Sequence, residues 1–168
     1  IYASNCRNGT SSANVISVTG GSGLKYSYDC QNMGLFSSLI TVNPTSSGDQ
    51  YAAVFLQGVD GFVIDGNRMS NVGNHVIRLT SHTTPSNLNT KNGIVSNNWL
   101  VTTYGTGIAS RTFNGDGILV SSNTTVARGP IDIVGNRLVT GNMYVLQSVD
   151  SRISGNMIVN DDASNPYL

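Results

Sequence analysis

An eight-residue element with an asparagine near its end occurs four times in this sequence, and it limits the fold more than any other feature. The copies read FVIDGNRM, GIVSNNWL, IDIVGNRL and SRISGNMI, at Phe62–Met69, Gly93–Leu100, Ile131–Leu138 and Ser151–Ile158. Their alignment places four asparagines in one column, Asn67, Asn98, Asn136 and Asn156. Gly or Asn precedes each asparagine, which is the composition of a turn that needs a positive φ angle. The sequence therefore predicts repeated units that share one asparagine turn.

A second element, which begins with Gly, precedes the first. It reads GNHVIRL from Gly73, GDGILV from Gly115 and GNMYVLQ from Gly141. A longer match, between Phe55–Asn67 and Val145–Asn156, supports the same alignment. Each repeat is thus predicted to hold a strand, a turn, a second strand and the asparagine turn. Repeat lengths run from about 20 residues to over 30, which suits a solenoid, because each coil contacts only its neighbours and tolerates insertions.

The composition favours strands over helices. All nine acidic residues are Asp, and Lys occurs only at Lys25 and Lys91, so strong helix formers are scarce. Asn, Gly and β-branched residues replace them, which suits short strands joined by tight turns. The net charge of zero argues against nucleic-acid binding. The longest apolar runs fall far short of the ~20 residues of a membrane-spanning helix.

These observations predict an all-β fold, a right-handed parallel β-helix (solenoid) with irregular coil lengths, in a single domain. Residues 1–47 are expected to form irregular N-terminal coils, residues 48–160 the clear coils and residues 161–168 a C-terminal tail. Two inward-facing columns are predicted, one of Ile64, Val95, Ile133 and Ile153, the other of Met69, Leu100, Leu138 and Ile158. The asparagine amides are expected to hydrogen-bond along the stack.

Cys6 and Cys30, about one coil apart, are either stacked thiols or a disulfide.

The repeats and the stacked asparagines resemble the right-handed β-helix of the pectate-lyase-like superfamily over residues 48–160. In composition and irregular coil length the chain is most similar to bacteriophage tailspike proteins. That resemblance implies a homotrimer on the virion tail or in the extracellular space, which binds or cleaves bacterial surface polysaccharide, in cleaving members with paired carboxylates. The chain lacks an initiator Met, and we expect it to be part of a longer or processed protein.

Two long loops between strands mark the edge where chemistry is expected. The connection is short in QGVDG and QSVDS, but it lengthens to TSHTTPSNLNTKN and SSNTTVARGP in the two intervening repeats. Loops on a rigid scaffold commonly carry binding residues. This edge is predicted to form a groove that contains Asp60, Asp150, His82, Lys91 and Arg128.

The catalytic candidates are Asp60, Asp116 and Asp150, because a general acid and a base or nucleophile are both carboxyl groups in most glycoside hydrolases. Such a pair needs a separation of about 5–10 Å. Two intervening coils would put Asp60 and Asp150 roughly 14 Å apart, and Asp116 belongs to a different turn. The competing interpretation is that Asp60 and Asp150 are turn residues that bind the local backbone.

The second candidate site is the column that follows the asparagine turn: Arg68, Trp99, Arg137 and Met157. It alternates with an inward column and should face outward, where the only tryptophan would lie between two arginines. Such a group can stack on a sugar ring and bind hydroxyl or carboxylate groups. A subunit contact or wall-stabilising Arg–Trp stacking explains the same pattern. Carbohydrate binding is therefore assigned to Trp99, Arg68, Arg137, Arg128 and His82.

Three functions remain open at this point. The first is binding, with or without hydrolysis, of a bacterial surface polysaccharide. The second is a secreted polysaccharide lyase or epimerase, which would need a basic residue in the groove, where only Lys91 and Arg128 are available. The third is a structural stalk or adhesin without catalysis. No cofactor and no metal are predicted, since His75 and His82 form no ligand cluster with a Cys.

Overall fold

Parallel β-strands form all of the regular structure that we describe. The computed structural model describes residues 1–43, 51–72, 75–81, 88–103, 118–121, 129–139, 143–145 and 150–159. Across these ranges the chain forms strands and no helix, and every strand pairing is parallel. The predicted all-β class with parallel sheets is confirmed. No helix able to cross a membrane is found in the part of the chain that was described.

The strands are β1 (Tyr2–Ser4), β2 (Thr10–Ser12), β3 (Val15–Thr19), β4 (Leu24–Phe36), β5 (Leu39–Asn43), β6 (Val54–Asp65), β7 (Arg68–Val72), β8 (Ile77–Thr80), β9 (Lys91–Ser96), β10 (Trp99–Thr103), β11 (Ile118–Ser121), β12 (Ile131–Val134), β13 (Arg137–Val139), β14 (Met143–Val145), β15 (Ile153–Ser154) and β16 (Met157–Val159).

The strands pair into three parallel ladders. The first ladder comprises β1, β8, β11 and β14 with the first halves of β4 and β6. The second comprises β2, β9, β12 and β15 with the second halves of β4 and β6. The third comprises β3, β5, β7, β10, β13 and β16. Along the chain, successive strands belong to the first, the second and the third ladder in turn, and β4 and β6 each pass through the first two. Each repeat thus has a third strand, directly after the asparagine turn, beyond the two that the sequence predicted.

The core lies between the ladders, and it contains the predicted inward columns. Ile64, Val95 and Ile133 are buried in the second ladder, and Met69, Leu100 and Leu138 are buried in the third. Each such side chain contributes about 1.5–3 kcal/mol by leaving water. The last members of both columns differ from the prediction, because Ile153 is 53% and Ile158 42% exposed. No described strand lies beyond β15 or β16 to cover them.

The asparagine column is a continuous hydrogen-bonded ladder. The Nδ2 of Asn67 donates to Asn98 Oδ1 at 3.0 Å, Asn98 donates to Asn136 at 2.9 Å, and Asn136 donates to Asn156 at 2.9 Å. The residues before them adopt positive φ angles, 64° at Gly66 and 54° at Asn97. The turn conformation predicted from the sequence is therefore present, and the buried polar groups of the turn bind one another.

The column extends into the N-terminal segment, for which irregular coils were predicted. Ser38 replaces asparagine, and its N–H donates to Asn67 Oδ1 at 2.9 Å. The N–H of Asn14 donates in turn to Ser38 Oγ at 3.2 Å. Ala13 and Ser37 precede these residues with φ angles of 53° and 48°. Residues 1–43 therefore follow the same turn geometry as the later repeats.

Cys6, between β1 and β2, and Cys30, in β4, are both free thiols. The N–H of Gln31 donates to the carbonyl of Cys6 at 2.8 Å, which brings the two segments side by side. Cys30 is fully buried, and its Sγ contacts the carbonyl of Ser27 at 3.2 Å. Burial raises the pKa of the Cys30 thiol above its ordinary value. Stacked thiols, the first of the two sequence alternatives, describe this arrangement.

We expect iodoacetamide to alkylate Cys6 well before Cys30 in the folded protein. The thiolate is the reactive form, and Cys30 combines a raised pKa with complete burial, whereas Cys6 is partly exposed. Mass spectrometry of peptides after a short pulse at pH 8 measures the two rates. In urea both cysteines should react at similar rates, and faster modification of Cys30 in buffer would contradict the described packing.

Candidate functional site

An exposed column on the outer face of the third ladder joins the residues that the sequence selected. The strand register places Trp99 beside Arg68 on one side and beside Arg137 on the other. Met157 follows Arg137, and the same row begins with two further apolar residues, Val15 and Leu39. We call these six residues the third-ladder column. Trp99 is 42% exposed and Met157 55%, so the row faces solvent as the alternation predicted.

The two arginines cover the Trp99 ring from its neighbouring strands. The guanidinium carbon of Arg68 lies 4.7 Å from the ring centroid, and that of Arg137 lies 5.3 Å from it. These are cation–π distances. Because β7 and β13 flank β10 on opposite sides, the ring lies between the two guanidinium groups. Direct stacking of a sugar on the tryptophan face, one sequence interpretation, would first require displacement of an arginine.

The third-ladder column carries positive charge without a carboxylate partner among the described residues. The described ion pairs involve Lys91 with Asp60 and Arg152 with Asp132, on or next to the second ladder. Arg68 and Arg137 are two strand spacings apart, about 9.6 Å along the stack. Each guanidinium has five N–H donors in a planar fork that matches carboxylate or phosphate oxygens. The column can therefore bind anionic groups.

Asp60, a catalytic candidate, is held by neighbours in the second ladder. It lies within β6, not in a turn as the sequence suggested, and its Oδ2 is 3.3 Å from Lys91 Nζ. Asn92 Nδ2 donates to its other carboxylate oxygen at 2.6 Å. The ion pair is half-exposed, and such pairs contribute about 0–1 kcal/mol. These contacts assign Asp60 a place in a surface polar cluster.

Asp150 lies in the turn before β15 and adopts a φ of 55°. Asn32 and Asn92 show the same conformation, with φ angles of 53° and 54°. Three strand spacings separate β6 from β15, so Asp60 and Asp150 are about 14 Å apart along the stack. The two carboxylates are not brought together, and the turn interpretation accounts for Asp150.

The other predicted site residues lie outside the described residues: Asp116, His82 and Arg128. Arg152 Nη2 also lies 3.3 Å from Asp132 Oδ2. Asp65, which the sequence reasoning did not select, accepts hydrogen bonds from Ser96 Oγ at 2.7 Å and Asn97 Nδ2 at 2.9 Å. The carboxylates on the described second ladder are thus each bound by neighbouring side chains.

A second cation–aromatic row, on the outer face of the first ladder, was missed from the sequence. Tyr2, Lys25, Phe55 and Arg78 occupy successive strands at equivalent positions. Lys25 Nζ lies 4.9 Å from the Phe55 centroid and 5.8 Å from that of Tyr2. The guanidinium carbon of Arg78 lies 5.1 Å from Phe55 on the other side, and burial lowers the pKa of Arg78. Alignment of LKYS, VFLQ and IRLT by their alternation would have found this row.

Comparisons with protein-family models, with curated proteins and with solved structures each return no match. Among the described ranges, no group of three or more His, Cys or Asp residues is close enough to hold a metal ion.

The described geometry supports binding more directly than it supports hydrolysis. Two outer rows combine aromatic rings with cations, whereas Asp60, Asp65 and Asp132 are each engaged with Lys, Arg, Asn or Ser. An exposed row of donors on a rigid sheet suits an extended ligand, because regular strands fix the spacing of the side chains.

Proposed function

We propose that this chain is a right-handed parallel β-helix of the tailspike type, which binds an acidic bacterial surface polysaccharide along the third-ladder column. The rotation of the strands through three parallel ladders supports the β-helix, since that order is what successive coils require. The stacked asparagine turn also supports it. The bacterial source of the ligand comes from the resemblance to tailspikes.

One observation carries the binding proposal: Arg68 and Arg137 hold the exposed Trp99 between them and have no acidic partner among the described residues. The ring fixes both guanidinium groups, so less side-chain freedom is lost when a ligand binds. Their separation of about 9.6 Å is comparable with a disaccharide unit. A polymer with one carboxylate in each disaccharide would then meet both arginines, and Leu39 and Met157 would contact apolar sugar faces at either end.

A second copy of the chain is the alternative occupant of this face. Val15 is 81% exposed and begins the same row, which favours an apolar contact at that end. In that case the column would belong to the interface of a homotrimer, as the tailspike resemblance implies. The oligomeric state of the variants below separates the two occupants.

We expect the double variant Arg68→Gln, Arg137→Gln to bind acidic polysaccharide at least about tenfold more weakly than the parent chain. One hydrogen bond to a charged group contributes about 1.5–3 kcal/mol, and 1.4 kcal/mol is tenfold in affinity. Arg152→Gln, which removes another exposed arginine, next to the second ladder, is the matched control and should bind normally. Retention of capsular and lipopolysaccharide samples on the immobilised protein measures binding, and size-exclusion chromatography of the polymers detects cleavage.

Equal binding by the parent and the double variant would overturn the assignment of the third-ladder column. Equal retention of neutral and acidic polymers would overturn the charge argument. If Trp99→Ala reduces the molar mass by light scattering and leaves glycan retention unchanged, the column is a subunit interface. Shortened polymers would add hydrolysis to binding and would direct substitutions to Asp60, Asp116 and Asp150.

A further inference from the structure

A groove of about 430 Å³ opens beside the first ladder. Ligand-binding pockets typically have volumes of about 300–1,000 Å³, so the groove is large enough for one or two sugar residues. Its walls contain three aromatic rings, an ammonium group and a hydroxyl: Tyr2, Tyr51, Phe55, Lys25 and Ser22, with Ile1 at one side. This combination of an apolar surface and a few polar groups is typical of small-molecule sites.

Lys25 provides the charge of the groove. Its ammonium group lies between the rings of Tyr2 and Phe55, at 5.8 and 4.9 Å from their centroids. Within the described part of the chain it makes no ion pair with a carboxylate, in contrast to Lys91, which binds Asp60 at 3.3 Å. Arg78 on the far side of Phe55 adds a second positive charge to this face. An anion that enters the groove would therefore meet a fixed cation.

The rings and the hydroxyl provide the remaining contacts. Tyr2 is well exposed, and Tyr51 borders the same space. Ser22 Oγ accepts a hydrogen bond from the Ala52 N–H at 3.2 Å, which fixes its position and leaves its hydrogen to donate. A pyranose ring offers an apolar face to an aromatic ring and hydroxyl groups to such donors.

We propose that this groove binds a single carboxylate-bearing sugar residue, with the carboxylate on Lys25 Nζ, a hydroxyl on Ser22 Oγ and an apolar sugar face on the tyrosines. The inference deepens the proposed function, because the residue would belong to the same class of acidic polysaccharide. It concerns a different face, since the groove borders the first ladder and the Arg68–Trp99–Arg137 row lies on the third. The chain would then contact its polymer at two separate places.

The test is a titration of the folded chain with sodium glucuronate, followed by protein NMR shifts, with glucose as the uncharged probe. We expect saturable glucuronate binding that Lys25→Gln weakens at least about tenfold, the value of one charge-assisted hydrogen bond. Lys25→Arg should retain more affinity than Lys25→Gln, because it keeps the charge. Lys91→Gln removes the only other lysine and should leave the affinity unchanged.

Three outcomes would overturn the inference: no saturable binding of glucuronate, equal affinity for glucose, or equal loss of affinity in the Lys25 and Lys91 variants. The same titration of the Arg68→Gln, Arg137→Gln variant separates the two proposals. Glucuronate binding that persists there supports the groove even if the third-ladder column binds no polymer. If glucuronate binding is lost in the Arg68→Gln, Arg137→Gln variant but kept in Lys25→Gln, the groove proposal is wrong and glucuronate binds at the third-ladder column.

Discussion

Replacement of Asn98 by Ala is expected to lower the free energy of unfolding by about 3 kcal/mol or more. Asn98 is buried in the middle of the asparagine ladder, and its Oδ1 accepts from both the N–H and the Nδ2 of Asn67. Its Nδ2 donates to the carbonyl of Ile64 and to Asn136 Oδ1. Alanine removes all four bonds, and each buried group left without a partner costs about 1–3 kcal/mol. The midpoint and slope of urea unfolding measure the effect.

Asn156→Ala is the matched control at the last described position of the column. Asn156 donates to the carbonyl of Ile133 at 2.8 Å and accepts from Asn136, but it is only partly buried, so water can replace part of what is lost. We expect a loss of about 1 kcal/mol there. Equal losses at positions 98 and 156 would show that burial of the ladder does not determine its contribution to stability.

Replacement of Gly93 by Ala is expected to cost about 2–3 kcal/mol through overpacking. Gly93 faces inward in β9, and the strand register pairs it with Phe62 of the preceding repeat. A Cβ atom at position 93 would overlap the ring of Phe62, which is itself buried. The ring must therefore leave its position, and the close-packed interior offers little space for that movement.

A double-mutant cycle isolates this contact. In a Phe62→Leu background the ring is gone, so Gly93→Ala should then cost less than about 1 kcal/mol. Urea unfolding of the parent, the two single variants and the double variant gives the coupling energy. An unchanged cost of Gly93→Ala in both backgrounds would show that the backbone of β9, and not the ring of Phe62, requires glycine at this position.

The sequence alone was sufficient to predict the features that the asparagine turn marks. Once Asn67, Asn98 and Asn136 are aligned, alternation alone determines which neighbours face the core and which join the outer row of Trp99. The same marker is weaker in the N-terminal segment, where Ser38 takes the place of asparagine. The hydroxyl oxygen of Ser38 accepts a hydrogen bond from the Asn14 N–H as an amide oxygen would. The turn geometry is therefore kept, although the asparagine that marks it in the sequence is absent.

Features that depend on the pairing of unequal repeats were beyond the sequence. The contact of Asp60 with Lys91 requires the register across a 31-residue separation, which one insertion would shift. The first-ladder row was missed because no asparagine marks it, although Lys25 and Phe55 occupy equivalent positions. The exposure of Ile153 reflects its position on the last described strand of the second ladder, and a local pattern carries no information about which strands will pair with it.

The asparagine ladder also has a direction. Each amide donates to the asparagine of the repeat that follows, from Asn67 to Asn98 and then to Asn136 and Asn156, and also donates to a carbonyl of the preceding repeat. During synthesis on a ribosome, the newest turn to emerge would therefore always wait for an acceptor that has not yet been translated. Each repeat would supply the acceptor that completes the asparagine turn of the repeat made before it. Folding would then proceed from the N-terminus towards the C-terminus, and the turn that still lacks its acceptor would always be one repeat behind the growing end.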